Sequence, residues 1–225
     1  MPATVNSSAK NIYIISGLGA DWRVFQFLRL PPNYQVVHLP WLEPLHIDEP
    51  LQAYVKRLGA AVQEPNPILV GLSFGGVAAI ELGKILNPEK LILISSLSTQ
   101  HGIPWHYRLM GKMKLQRVVP MPLLRATYPA APYFFGAHTP YQKELLKDVY
   151  QNMSELYLRW SLDQLLKWKQ HEVMPQITHL HGTSDKVLPF RNGSEIIKIK
   201  GGEHLMVMNR AEEISTILKR ILNEI

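Results

Sequence analysis

The feature that most constrains this chain is an apolar run that ends in a serine between two glycines. Residues 66–76 read Asn-Pro-Ile-Leu-Val-Gly-Leu-Ser-Phe-Gly-Gly, and residues 77–86 continue with a helical pattern. A Gly-x-Ser-x-Gly spacing between a strand and a helix is the pattern of a nucleophile elbow, in which the serine stands on a strained turn. Gly71 and Gly75 keep Cβ atoms out of that turn, so the sequence predicts a hydroxyl on Ser73 that projects above the sheet edge.

A serine becomes a nucleophile when a base takes its proton, and the base in turn needs an orienting carboxylate. Residues 177–185 form a predicted strand that breaks at a glycine and delivers Asp185 just past its end. Residues 196–204 form a second predicted strand that breaks at a glycine pair and delivers His204. The order along the chain is serine, acid, histidine, which makes a purely structural Gly/Ser turn at Ser73 the weaker interpretation.

These three segments resemble those of the α/β-hydrolase fold family, whose triad follows the same order. Residues 71–76 are similar to the family's elbow, residues 181–189 to its acid loop, and residues 201–204 to its histidine loop. The resemblance extends over nearly the whole chain. It implies an α/β-hydrolase fold with a triad of Ser73, Asp185 and His204.

The resemblance also gives a role to the glycine-rich turn after the first predicted strand. The family usually has His-Gly where this chain has Ser16-Gly17. By resemblance, the backbone N–H groups of Leu18 and Phe74 would form the oxyanion hole. A plain strand-to-helix turn with Asp21 as helix N-cap is compatible with the same residues.

Predicted strands and helices alternate along most of the chain. The patterns predict strands at 11–16, 34–39, 67–71, 90–95, 176–181 and 195–200, and helices at 22–29, 49–63, 74–86 and 211–223. This alternation predicts an α/β fold with a mostly parallel sheet of about six strands flanked by helices. The connection at 186–194 has only nine residues, so its helix must be reduced to about a turn, with Arg191-Asn192-Gly193 supplying the reversal.

Between residues 98 and 170 the alternation stops, and helical segments punctuated by proline take over. The resemblance identifies this stretch as a helical cap inserted into a core of residues 1–97 and 171–225. Ser154 is the predicted N-cap of a helix through Lys169. Asp163 in this helix is the rival to Asp185, since some members of the family take the acid from just after an earlier strand.

Aromatic side chains are candidates to line a pocket between cap and core, although they can equally form the cap's own interior. The candidates are Trp22, Trp105, Tyr107, Tyr133, Phe134, Phe135 and Trp160, and we take Trp22, Trp105, Tyr133 and Trp160 as the substrate-binding set.

The composition excludes several kinds of chemistry. The 225 residues include no cysteine, which excludes disulfides, thiolate metal sites and cysteine nucleophiles. His179 and His181 share one face of a predicted strand, but a metal site needs more ligands, and we predict neither a metal nor a cofactor.

The first ten residues lack the signal-peptide pattern, and no run approaches the roughly 20 apolar residues of a membrane span. We therefore expect a cytoplasmic protein without an integral membrane segment.

Charge is distributed unevenly. Residues 98–170 contain ten Lys or Arg and four Asp or Glu, an excess that equals the net charge of +6 of the whole chain. A basic cap could attract anionic substrates, a carrier or a membrane surface, and a solvated helix face is the alternative. Nucleic-acid binding is not predicted, because no recognition motif accompanies the charge.

The residues and the resemblance together predict a carboxylesterase-like serine hydrolase. Its substrate would be a small to medium ester or thioester, cleaved through an acyl-enzyme. A haloalkane dehalogenase or epoxide hydrolase would need a carboxylate at position 73. Two alternatives stay open: a C–C hydrolase or lyase that uses the same triad, and a non-catalytic ligand-binding protein on the same fold.

Overall fold

The computed structural model describes residues 9–191 and 196–224, which contain one six-stranded sheet. The strands are β1 (Lys10–Ile15), β2 (Tyr34–His38), β3 (Ile68–Leu72), β4 (Lys90–Ile94), β5 (Ile177–Gly182) and β6 (Ile196–Ile199). Their spatial order is β2-β1-β3-β4-β5-β6, and every neighbouring pair is parallel. The predicted α/β fold with about six strands is confirmed.

The predicted strands match the observed ones to within one residue at each end, and only position 195 lies outside the described residues. The reason is the uninterrupted apolar character of the central strands. All five residues of β3 are buried, as expected for a parallel strand that is covered on both faces.

Helices cover both faces of the sheet. They are α1 (Leu51–Leu58), α2 (Phe74–Leu86), α9 (Met206–Asn209) and α10 (Ala211–Asn223). Alternate residues of β1 enter different cores, since Tyr13 packs with α1 and α2 whereas Ile14 packs with α10. Because every neighbouring pair is parallel, the carboxyl ends of the strands lie at one common edge of the sheet.

The predicted helices at 74–86 and 211–223 are confirmed, and the other two are shorter than predicted. At 22–29 the chain forms only a 3-10 turn, Trp22–Phe25, and the following Pro31-Pro32 pair cannot continue a helix. The helix predicted at 49–63 begins after Pro50, whose backbone is extended, and passes at Gly59 into the 3-10 turn Gly59–Ala61.

Residues 98–170, which we call the helical segment, connect β4 to β5. They contain α3 (Trp105–Lys112), α4 (Leu115–Val118), α5 (Met121–Arg125), α6 (Ala131–Phe135), α7 (Pro140–Asn152) and α8 (Glu155–Lys167). The Ser154 hydroxyl accepts a hydrogen bond from Tyr157 N, so it caps α8 as predicted, and the helix ends two residues before Lys169. None of the helices in the described part of the chain is long and apolar enough to cross a bilayer.

The connection from β5 to β6 is as short as the sequence predicts. Residues 183–191 form turns and contain no helix, yet β5 and β6 pair in parallel. The predicted reversal at Arg191-Asn192-Gly193 falls partly on residues 192–195, which lie outside the described residues.

Candidate active site

Ser73 lies at the turn from β3 into α2, with φ 53° and ψ −123°. Backbone this far from the common regions is stable only where the surroundings hold it. A Cβ added at Gly71 would lie 2.4 Å from Gly76 Cα, and one added at Gly75 would lie 2.2 Å from Ser16 O. Side chains at these two positions would collide with backbone, so the turn requires both glycines.

A second serine supports the turn from the neighbouring strand. The Ser96 hydroxyl, just beyond β4, donates a 2.6 Å hydrogen bond to the carbonyl oxygen of Ser73. A Cβ added at Gly76 would lie 2.1 Å from Ser96 Oγ, so the close approach depends on that glycine as well. Sequence analysis missed Ser96, and no motif marks it.

The three residues predicted as a triad lie together in one chain of hydrogen bonds. Ser73 Oγ lies 2.9 Å from His204 Nε2, and His204 Nδ1 lies 2.8 Å from Asp185 Oδ2. Asp185 and His204 are both buried. They approach because β3, β5 and β6 end at the same edge of the sheet, although Ser73 and His204 are 131 positions apart.

Asp185 is held by its own loop. Its Oδ1 accepts hydrogen bonds from the amides of Val187 and Leu188, at 2.9 and 2.8 Å, which leaves Oδ2 for His204. Burial by itself would raise the pKa of Asp185, but the charge and hydrogen bond of His204 and the Leu188 amide hold that pKa below its usual range. The carboxyl group is therefore ionised at neutral pH.

His181, which lies on β5, hydrogen-bonds to the loop that carries Asp185. Its Nε2–H donates to the Leu188 carbonyl at 2.8 Å, so its Nδ1 is the acceptor for His179 Nε2–H at 3.1 Å. Burial lowers the pKa of both histidines, that of His179 to about 3. The two rings thus bond to each other, and the described residues bring together no group of three side chains suited to a metal ion.

The predicted oxyanion-hole amides flank the serine. A Cβ at Gly17 would lie 3.5 Å from Ser73 Cβ, which places the turn carrying Leu18 against Ser73. Phe74 is the first residue of α2, where backbone N–H groups lack helical partners. Within the described ranges, the N–H groups of Leu18 and Phe74 donate no hydrogen bond.

Trp41, which sequence analysis missed, contacts both segments that carry the predicted donors. Its Nε1–H donates to Gly17 O at 2.9 Å, and its ring stacks on Phe74 with centroids 5.4 Å apart. The only signal was its place just after β2, since strand ends at this edge face the site. Trp41 fixes the Gly17 turn relative to α2.

A cavity of about 490 Å³ lies between the triad and the helical segment. Ser73 and His204 lie at its wall, and most of the other lining residues are aliphatic or aromatic. They include Leu124, Leu145, Leu146, Val149, Met153, Leu158, Leu162, Leu165 and Leu166 from the helical segment. A site of this size and polarity suits an apolar small molecule.

A sequence profile described as the alpha/beta hydrolase family matches residues 12–216. The chain belongs to the α/β-hydrolase family. No curated protein matches it in sequence.

Solved structures of other α/β-hydrolases share the fold at low sequence identity. An esterase from Exiguobacterium antarcticum superposes with a TM-score of 0.74 at 17% identity, covering 96% of this chain and 92% of its own. An enol-lactonase from Burkholderia xenovorans superposes with a TM-score of 0.72 at 14% identity, covering 96% of this chain and 92% of its own. An epoxide hydrolase from Bacillus megaterium superposes with a TM-score of 0.72 at 12% identity, covering 95% of this chain and 93% of its own. At these identities the likeness establishes the fold alone.

The four aromatic residues that we expected to bind substrate lie outside the cavity of this α/β-hydrolase. Trp22, Trp105 and Tyr133 are more than half exposed, and none lines the cavity. Trp160 is fully buried, packs on Tyr54 at 4.2 Å and donates its Nε1–H to a backbone carbonyl, so it belongs to the core. The other three candidates, Tyr107, Phe134 and Phe135, do line the cavity.

Asp163, the alternative candidate for the triad acid, pairs with residues outside the triad. It is buried and pairs with Arg117 at 2.7 Å and Lys167 at 2.6 Å, while Gln116 Nε2 donates to it at 2.8 Å. Burial would raise the pKa of Asp163, but these three partners lower it to about 2. This carboxylate ties α4 to α8 and does not contact His204.

Proposed function

We propose that this protein is a serine hydrolase that cleaves a carboxylic ester or thioester through an acyl-enzyme. The observation that carries the proposal is the hydrogen-bonded chain from Ser73 Oγ through His204 to Asp185 at the wall of an apolar cavity. Family membership supports hydrolytic chemistry, and the chain itself supplies a nucleophile, a base and an orienting acid.

In the proposed reaction, Ser73 Oγ attacks the carbonyl carbon while His204 Nε2 takes the hydroxyl proton. Asp185 accepts the His204 Nδ1–H, which leaves Nε2 free as the acceptor and stabilises the imidazolium when it forms. The tetrahedral intermediate collapses, and His204 returns the proton to the leaving oxygen or sulfur. Water then attacks the acyl-enzyme, with His204 again as base, and releases the acid and Ser73.

The backbone amides of Leu18 and Phe74 are the proposed donors to the oxyanion. Both lie next to the nucleophile without another hydrogen-bond acceptor among the described residues. Donors fixed in advance at the position where negative charge develops commonly contribute several kcal/mol to the transition state. In this proposal, Trp41 keeps the Gly17 turn from moving during the reaction.

The helical segment serves in this proposal as a cap over a core formed by residues 1–97 and 171–225. Its side chains form most of the cavity wall opposite the triad, and their apolar character favours an acyl or alkyl chain over a polar group. The expected substrate is an ester or thioester of small to medium length, and the reaction class is carboxylic ester hydrolysis (EC 3.1.1).

The decisive experiment combines covalent labelling with turnover of a series of p-nitrophenyl esters from acetate to decanoate, with acyl-CoA thioesters in parallel. A fluorophosphonate probe should attach once, at Ser73, and Ser73→Ala should abolish labelling and reduce turnover by several orders of magnitude. Ser98→Ala, a change outside the triad, is the control and should retain both. Labelling that survives in Ser73→Ala would overturn the proposal, and so would a wild type that binds these substrates without turnover.

A further inference from the structure

Helix α3 presents an unusual outer face. Trp105, Arg108, Leu109, Lys112 and Met113 follow the i, i+3, i+4, i+7, i+8 spacing of a single helix face. All five are exposed, and the apolar members strongly so: 69% for Trp105, 49% for Leu109 and 61% for Met113. Large apolar side chains thus alternate with two cations on the solvent side of the helix.

The opposite side of α3 is already occupied by the protein. Tyr107 and Met110 line the cavity, and a Cβ at Gly111 would lie 2.9 Å from Leu166 Cβ on α8. The helix therefore does not need its outer face for packing on the body. A row of exposed apolar side chains in water is costly unless a partner covers it.

The surrounding charge shows what kind of partner fits. Residues 98–143 contain six Lys or Arg and no Asp or Glu. Among them, Arg117 pairs with Asp48 and Asp163, and the other five make no ion pair within residues 9–191 and 196–224. These five are Arg108, Lys112, Lys114, Arg125 and Lys143.

We propose that the outer face of α3 docks on the surface of an anionic lipid bilayer. A helix that combines tryptophan, long aliphatic side chains and cations lies in the interface plane, with the apolar groups among the acyl chains and the cations at anionic headgroups. A second copy of this chain fits less well. A two-fold contact through this face would set Arg108 and Lys112 against themselves, and the stretch has no carboxylate to compensate.

The position of the cavity relates the docking to substrate access. Met110 on α3 and Phe134 line the cavity and are 43% and 47% exposed, so the cavity reaches the surface at α3. An apolar substrate dissolved in a bilayer would enter from the membrane side without crossing water. The inference extends the proposed function but does not depend on it, because docking requires no step at Ser73.

The test is co-sedimentation of the full chain with vesicles of phosphatidylcholine alone and with about 30% phosphatidylglycerol. We expect binding to the anionic vesicles that weakens as salt rises, and weak binding to the neutral ones. Arg108→Glu with Lys112→Glu should reduce the affinity at least about tenfold, since each cation near such a surface contributes about a fivefold factor. The matched control, Lys219→Glu with Arg220→Glu, reverses two exposed cations on α10 and should leave most of the binding intact.

The apolar half of the face is tested by Leu109→Ser, with Ile85→Ser as control, because the two side chains have the same 49% exposure. Leu109→Ser should weaken binding several-fold, and Ile85→Ser should not. Circular dichroism and light scattering on each variant report folding and association, respectively. Ser73→Ala should bind vesicles like the wild type, so a failure of docking and a failure of the proposed chemistry are separate results.

Three results would overturn the proposal. The first is equal binding to neutral and anionic vesicles, and the second is binding that both charge-reversal pairs change equally. The third is no binding to anionic vesicles, whether or not the outer face of α3 instead forms a dimer or binds an acidic protein.

Discussion

At the scale of single residues, two buried carboxylates differ in their surroundings: the proposed catalytic acid Asp185 and Asp163, which connects two helices. Asp185 and Asp163 are both buried and both have a lowered pKa. Their partners differ, because Asp185 bonds to an imidazole and two amides, whereas Asp163 bonds to two cations and an amide side chain.

The first prediction follows from those partners. Asp185→Asn should lower kcat by about 10⁴, because an asparagine cannot stabilise the imidazolium and can favour the wrong tautomer. Asp163→Asn should leave kcat nearly unchanged and instead destabilise the fold by about 2 kcal/mol, since Arg117 and Lys167 lose their hydrogen bonds to a shared carboxylate. Turnover measured well below the melting temperature reports the effect on kcat. Urea unfolding reports the effect on stability. The opposite ranking of kcat would assign the acid to Asp163.

The second prediction concerns His179, whose pKa burial and the neighbouring His181 lower from 6.5 to about 3. Below pH 6.5 the unfolded chain binds a proton at this position and the folded chain does not, until the pH approaches 3. The contribution of neutral His179 to the free energy of unfolding therefore has its full value above pH 6.5 and is lost as the pH falls. At pH 5 the loss should reach about 2 kcal/mol.

The variant His179→Gln tests the direction of this pH dependence, because glutamine keeps an N–H donor for His181 and does not titrate. Urea unfolding at pH 7 and pH 5 should show a loss of stability about 2 kcal/mol smaller in the variant than in the wild type. His101→Gln, at an exposed site, is the control and should behave like the wild type. An unchanged pH dependence in His179→Gln would contradict the prediction.

Some of these residues could be predicted from the sequence and others could not, for a physical reason. Ser73, Asp185 and His204 each follow a strand and a glycine turn, so local pattern alone places them at one sheet edge. Trp160 gives no such signal, because its burial depends on how α8 meets Tyr54. The direction of a side chain in the helical segment depends on packing between short helices, which periodicity does not determine.

At the scale of secondary structure elements, the strand-to-helix turn at Ser73 depends on close backbone contact between β1, β3 and α2. Gly75 permits that contact, since an added Cβ would lie within 2.2 Å of Ser16 O and 2.4 Å of Ile15 O. Both neighbours are backbone atoms at the end of β1, and they cannot turn aside as a side chain would. The backbone geometry at Ser73 and the packing of the sheet therefore depend on the same glycine.

The third prediction compares two glycines of α2. Gly75→Ala should cost about 1–3 kcal/mol of stability and at least about tenfold in kcat/KM, because the elbow must shift. Gly83→Ala is the matched control, since its Cβ would meet only side chains, those of Pro88 at 3.4 Å and Leu91 at 3.6 Å. In a helix interior that change should stabilise by about 0.5–1 kcal/mol and leave kcat/KM unchanged. Equal effects at both positions would show that the elbow tolerates a Cβ.

The elements of the sheet were predictable and those of the helical segment were not. Buried parallel strands such as β3 and β4 are apolar runs bounded by turn residues, and this signal is local. Helices α4, α5 and α6 have only four or five residues each, fewer than an isolated helix needs. They depend on packing against neighbouring helices, α4 on α8 and α6 on α7, so the sequence indicated helical character without the bounds.

At the scale of the whole molecule, polar contacts join the helical segment to the rest of the chain around the cavity. Arg117 Nη2 lies 2.5 Å from Asp48, and the Trp168 Nε1–H donates to Glu81 at 2.8 Å. The excess of positive charge is confined to residues 98–170, because the remainder of the chain carries fourteen residues of each sign. The cavity thus lies between a basic segment and an electrically balanced body.

The last prediction tests whether this charge steers substrates to the cavity. Arg125 lines the cavity, is exposed and makes no ion pair in the described part of the chain, so it can act on an approaching anion. For a negatively charged ester, kcat/KM should fall about three- to tenfold as salt rises from about 0.02 to 0.5 M, because the Debye length shrinks from about 20 to about 4 Å. An uncharged ester of equal length should change little.

Arg125→Gln with Lys112→Glu should flatten this salt dependence without changing the labelling of Ser73, since neither side chain contacts the triad. The control, Lys219→Glu with Arg220→Glu, reverses charge on the balanced body and should keep most of the dependence. Steady-state kinetics of the paired esters at four or five salt concentrations measure both slopes. If the two esters respond to salt equally, the excess charge acts on no substrate, and its remaining role is at a surface such as the outer face of α3.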